Sequence, residues 1–339
     1  MTGKNETGSS RWPWQRRARS AGEARTAASD GSSDGPTRGL LNITDPGVDL
    51  TTPDGGPVLL HALDGFLSAG QAGRLAADQL VGDDLAGDVV AEIDADALYD
   101  YRARRPPLAF DQDHYAGYQA PRLDVRRMVD AAGTPYLLLA GPEPDYRWED
   151  FIDAVRDVVD AFGVRLVVGI GAVPMGVPHT RPIVVTAHAT RPELVDRPNL
   201  WTGRLLVPAS AQAVLELRLG ESGHDALGYV AHVPHYVGGV EFAPAAVTLL
   251  EAAGAAAGLT FDLDALRETA ENTIGEVDRQ VSEQEGGEVL SALEEQYDTF
   301  SRGAGQSMLA RDEELPSADQ LGQQFEQFLA GLDHREGRD

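Results

Sequence analysis

The chain has 339 residues, with 28 Lys+Arg against 54 Asp+Glu for a formal charge of −26, and it contains no cysteine. Thiol nucleophiles, thiolate metal sites and disulfide scaffolds are therefore excluded, and so negative a field repels the phosphate backbone of duplex nucleic acid. Lys4 is the one lysine, so the rest of the chain has neither a P-loop lysine nor a Schiff-base lysine.

Residues 1–38 are rich in Ser, Gly, Ala and Arg and hold seven basic against four acidic residues. Such a composition buries too little apolar surface to offset ordering, so residues 1–48 are expected to form a disordered tail. The tail suits loose contact with the acidic body, while Trp12 and Trp14 beside Arg11, Arg16 and Arg17 suit a partner or a membrane surface. No run reaches the roughly 20 apolar residues of a membrane span, and the N-terminus lacks the apolar core of a secretory signal. A cytoplasmic protein with no membrane partner is expected.

From Pro57 apolar runs alternate with amphipathic segments, the pattern of β-α repeats around a mixed, largely parallel sheet. Strands are expected at 58–63, 89–93, 108–110 and 136–140. Helices are expected at 71–80 and at 148–162, where Phe151, Ile152, Val155, Val158, Val159 and Phe162 recur at helical spacing before Gly163. Strands 166–170 and 183–187 bracket a loop carrying Pro174, Pro178 and Pro182. Proline fixes φ and restricts the residue before it, so this loop is a stiff crest displaying Met175, His179, Thr180 and Arg181 at a strand end, where open α/β sheets keep their sites.

A strand at 204–207, a helix at 211–219 capped by Ser210, a strand at 228–233 and a helix at 244–257 complete an α/β core over residues 49–262. Two amphipathic helices across Gly286-Gly287 form a hairpin at 263–301. A linker at 302–314 leads to a helix at 315–333 with Leu321, Phe325, Phe328, Leu329 and Leu332 on one face.

Several groups carry chemistry. DGFLSAG (Asp64 to Gly70) is a glycine-bearing β-α turn that suits either an anion or plain turning. DYRARRPP gathers Arg102, Arg104 and Arg105, planar forks for a carboxylate or phosphate, or for an internal ion-pair knot. In GPEPD, Glu143 and Asp145 stand where a general base stands, and equally where a helix is capped. His179, His188, His232 and His235 have no metal-ligand spacing, since His232 and His235 alternate to opposite faces of an extended segment. No metal and no cofactor are expected.

Taken together, ALDGFLSAG, DYRARRP, LLLAGPEPD, GVPHTRP with VTAHA, and HVPHY resemble the PAC2 family in its actinobacterial form, from about Pro57 to Leu332. The resemblance implies a three-layer α/β sandwich similar to phosphorylases and nucleosidases, with an appended helical hairpin and terminal helix. It further implies a homo-oligomeric, non-enzymatic chaperone or adaptor linked to proteasome assembly. The chain ends His334-Arg335-Glu336-Gly337-Arg338-Asp339, unlike the hydrophobic-Tyr-any tail of related activators, so tail docking is not expected. The ATP-grasp ligase activity attributed to some relatives is not expected either, for want of lysine. Met175, Val177, Tyr236, Phe325 and Phe328 are candidate interface anchors. The alternative is a ligand-binding protein or enzyme of nucleosidase-like shape, whose pocket is built from Asp64, Arg102, Arg104, Arg105, Glu143, Asp145, His179 and Arg181, with His235 and Tyr236 nearby.

Overall fold

The computed structural model describes residues 39–53, 55–82, 87–195, 204–283 and 286–306. Two compact units divide the chain at Glu294, and of the second only the end of one helix is described. The expected 315–333 helix and residues 1–38 of the tail lie outside the described residues.

In chain order the first unit runs β1 (Leu41–Ile43), β2 (Val58–Asp64), α1 (Ala72–Val81), β3 (Asp88–Ile93), β4 (Ala109–Asp111), β5 (His114–Ala116), β6 (Leu123–Val129) and β7 (Pro135–Pro142). There follow α2 (Trp148–Phe162), β8 (Leu166–Met175), β9 (Val185–Ala189), α3 (Ala211–Glu221), β10 (Ala226–Pro234), α4 (Ala243–Ala257), α5 (Asp264–Glu283) and α6 (Gly287–Gln306), which continues past the unit boundary.

Eight strands form one mixed sheet in the order β1-β3-β6-β7-β2-β8-β10-β9. Its centre, β7-β2-β8-β10, is parallel, while β1, β3 and β6 on one side and β9 on the other run antiparallel to their neighbours. Period-two alternation sends Val58, Leu60 and Ala62 of β2 to the face covered by α1, α4 and α5. Leu59 and Leu63 go to the face covered by α2 and α3. This is the expected three-layer sandwich.

Five sequence expectations are corrected. The segment 204–207 forms no strand, and β9 takes the sheet edge beside β10; Leu205, Leu206 and Val207 are left 49, 90 and 68% exposed. Residues 108–110 join no large sheet, since β4 pairs only with β5 in a hairpin. The strand expected at 166–170 runs on to Met175, so Pro174 lies within it. Beyond Gly169, β8 has a strand partner on the β10 side alone, where the missing proline N–H is tolerated. The strand after the crest starts at Val185 rather than Ile183, where its register with Ala231 begins. Finally, β1 pairs with β3, so the fold begins before residue 49.

The Ser210 and Gly163 caps and the expected helices that fall within the described residues stand. Ser210 accepts a hydrogen bond from Ala213 N at 3.1 Å, and α2 ends before Gly163. Among the described residues no helix is long and apolar enough to cross a membrane.

Gly141, in β7, has φ +149°, and a Cβ there would lie 2.1 Å from the Arg122 carbonyl oxygen. That contact is with backbone, which cannot turn aside as a side chain does. Gly141→Ala should lower unfolding free energy by about 3 kcal/mol, read from chemical denaturation.

Two histidines are buried in the layers. Burial, with His188 as a lesser cause, pushes His61 down from 6.5 to about 4, and burial pushes His232 down to about 4. Both rings are neutral in the fold and gain a proton more readily when unfolded. Stability is thus full above pH 6.5 and is lost as pH falls toward 4. Each ring should cost about 2 kcal/mol between pH 7 and pH 5. In His61→Gln/His232→Gln the urea midpoint should change less over that interval than in the natural chain.

Candidate functional site

The carboxyl ends of β2 and β7 bring four of the expected residues together. Arg104, from the loop after β3, donates through Nη1 to Asp64 O (3.3 Å) and through Nη2 to Glu143 O and Asp145 Oδ2 (both 2.6 Å). Its guanidinium carbon lies 4.6 Å from the centroid of Tyr99. Asp145 also accepts from Asp100 N (2.6 Å), and Asp100 in turn accepts from the Tyr146 hydroxyl (2.6 Å). The arginine loop is therefore an internal knot. Asp64 contributes its backbone carbonyl to it.

Glu143 is committed in another way. Its Oε2 accepts from Phe66 N and its Oε1 from Ala211 N, each at 2.7 Å. One carboxylate thus joins the end of β7, the turn after β2 and the first residue of α3, where the helix dipole favours negative charge. Gly65 admits it, since a Cβ there would lie 2.0 Å from Glu143 Oε2. Three amides of the DGFLSAG turn are accordingly committed inside the fold: Phe66 N to Glu143, Gly65 N to Ser68 Oγ and Gly70 N to Gly238 O. Asp145 does not cap α2, whose N-cap, Arg147, makes no side-chain capping bond; Glu149 and Asp150 fill the first turn.

Arg102 and Arg105 do not enter this knot and remain exposed. His179, Thr180, Arg181 and Tyr236 assemble around different partners. The His179 side chain is 0% exposed, with Nδ1 2.7 Å from the Tyr236 hydroxyl and Nε2 2.8 Å from Asp278 Oδ1 of α5. The Tyr236 hydroxyl also accepts from His179 N (2.9 Å), and burial raises its pKa. Arg181 Nη1 donates to Glu294 Oε1 of α6 (3.2 Å), the oxygen that Thr180 also bonds. Met175 is half-buried at the end of β8, and the exposed His235 ring stands edge-on to Tyr236. The eight residues of the expected pocket therefore divide between the arginine knot, the crest and two exposed arginines. Among the described residues no group of three metal-ligating side chains converges.

Sequence reasoning missed the exposed, mostly aromatic rim of the segments that carry the knot. Phe66, Leu108, Phe110, Tyr115, Tyr118 and Tyr146 are between 45 and 72% exposed. Phe110 and Tyr115 face each other across the β4-β5 hairpin with ring centroids 5.2 Å apart. The available signal was Asp111-Gln112-Asp113, a polar turn between two aromatic positions, with Gln112 at φ +53°.

The fold and its strand ends define a three-layer α/β sandwich whose rim charges are cross-braced. The PAC2 family model matches residues 62–281, and the chain belongs to the PAC2 family. A Mycobacterium tuberculosis protein of unknown function is 40% identical, with 83% of this chain and 96% of that one covered and a TM-score of 0.76. A Corynebacterium glutamicum protein of unknown function is 37% identical (77% and 97% covered, TM-score 0.72). A proteasome-assembly chaperone homologue of Mycobacterium tuberculosis is 27% identical (67% and 96% covered, TM-score 0.62). No curated protein matches the chain.

The brace assigns Glu143 a structural role that can be measured. In Glu143→Gln the new amide NH2 opposes one of the two backbone N–H groups, and thermal unfolding should show a loss of about 2 kcal/mol. Unchanged stability would instead leave Glu143 free for chemistry.

Proposed function

We propose that the chain is a protein-binding adaptor that works with proteasome assembly, using the aromatic rim at the strand ends as its docking face. One observation carries the reading: Glu143, Asp145 and Arg104, which a pocket would need, are held by internal partners, while aromatic side chains of the same loop segments face solvent. Exposed aromatic groups clustered with arginine are the composition of binding hot spots. The proteasome link is supported by the assembly-chaperone homologue among the similar structures. A cytoplasmic location and a homo-oligomeric state belong to the same reading. Native mass of the purified chain tests the latter.

The test is co-migration of the purified chain with proteasome subunits from the same cell. Phe110→Glu and Tyr115→Glu should each weaken that association at least tenfold and leave the thermal midpoint unchanged, because both rings are exposed in the unbound chain. Association that survives both substitutions would remove the rim from the account. Turnover of a metabolite abolished by a single knot substitution, with stability retained, would overturn the adaptor reading.

A further inference from the structure

We propose that the proline crest is a docking edge for an acidic helix, and that the chain's own α6 occupies it as an internal ligand that a partner helix displaces. The contact itself states the chemistry. Thr180 and Arg181 both bond one oxygen of Glu294, and a Cβ at Gly176 would lie 4.0 Å from Leu293 Cδ2, so the crest takes up a leucine followed by a carboxylate on one helix.

The crest is organised before anything binds. Pro178 and Pro182 restrict its backbone, and the buried His179 ring is held from both sides by Tyr236 and Asp278. A rigid edge loses little entropy when it binds. Its occupant is attached differently. The preceding helix, α5, is anchored in the core through Leu266 and Val277, with Ala270, Ile274 and Val281 packed against it. None of the described residues of α6 belongs to either core cluster, and Gly286-Gly287 separates the two helices. Up to Glu294, therefore, the described hold on α6 combines the Glu294 bonds to the crest with a half-buried Leu293 beside Gly176, and it includes no residue of either core cluster. A carboxylate on hydroxyl and guanidinium exchanges with another carboxylate far more readily than a buried apolar face leaves its core.

A tethered ligand competes at an effective concentration of about a millimolar, which keeps the edge closed until a partner offers the same leucine-acid pair in better geometry. The inference does not require the aromatic rim to bind. A chain carrying Phe110→Glu that keeps its partner while the result below stands would defeat only the rim.

The probe is a fluorescent peptide of residues 287–306, titrated into the full chain and into full-length Glu294→Ala, with far-UV circular dichroism confirming that both are folded. The peptide should bind Glu294→Ala at least tenfold more tightly than the natural chain, because the internal competitor has lost its carboxylate. That binding should fall at least tenfold when the peptide carries Leu293→Ala or Glu294→Gln, or when the protein also carries Arg181→Ala. Equal binding to both chains, or binding to neither, would overturn the proposal. So would a doubling of native mass in Glu294→Ala, which would assign the edge to a second copy.

Discussion

The carboxylate of Glu143 is the contact on which the strand-end architecture depends. Parallel strands finish together at one edge of a sheet, and the segments leaving them carry amide groups with no partner in the ladder. Here the turn after β2 and the start of α3 both present such amides, and Glu143 accepts one from each. With two charge-assisted bonds to backbone, the turn, the strand end and the helix are set relative to one another. Arg104 adds a second set of ties over the same ground, bonding the carbonyls of Asp64 and Glu143 and the carboxylate of Asp145. Groups that look reactive in a sequence are thereby converted into scaffolding.

The same logic governs the crest. His179 is a candidate acid or base by residue type, yet it lies fully covered between a phenol and a carboxylate. Its role there is to fix a loop and one side of α5. Two strand-end regions of the sandwich are thus rigid, one around β2 and β7 and one after β8, each stiffened by a polar side chain linking segments distant in sequence. Rigidity of this kind serves recognition, since a surface already in its bound shape loses less entropy on association.

How much of this was legible follows from which forces are local. The 148–162 helix was readable residue by residue because its apolar spacing and following glycine are local signals, and Ser210 read as a cap for the same reason. The parallel strands were readable as continuous apolar runs, buried on both faces. β6 was not, because LDVRRMV carries Asp124 and two arginines. Asp124 and Arg126 are buried nonetheless, with Asp124 paired to both Arg126 and Arg122. A strand whose charges neutralise one another at alternate positions has no apolar period that announces it. The candidate site shows the same limit. DYRARRPP and GPEPD could be named from sequence, but that Arg104 joins the knot while Arg102 and Arg105 do not depends on which side chains reach Asp64 and Glu143 after folding.

The net charge and the aromatic rim are best considered together. A surface with Leu206 at 90% exposure and Tyr115 at 72% invites self-association by the hydrophobic effect. A chain of charge −26 opposes that through long-range repulsion between copies. The repulsion fades within about 8 Å at physiological salt, so it discourages random encounters more than it weakens a fitted contact. Because every cation beyond Lys4 is an arginine, the positive groups are planar forks that bond bidentately or bridge several acceptors, as Arg104 does. Fixed charge therefore does the bracing inside the rim while unpaired acidity keeps copies apart. That division allows apolar side chains to stay exposed without driving indiscriminate association.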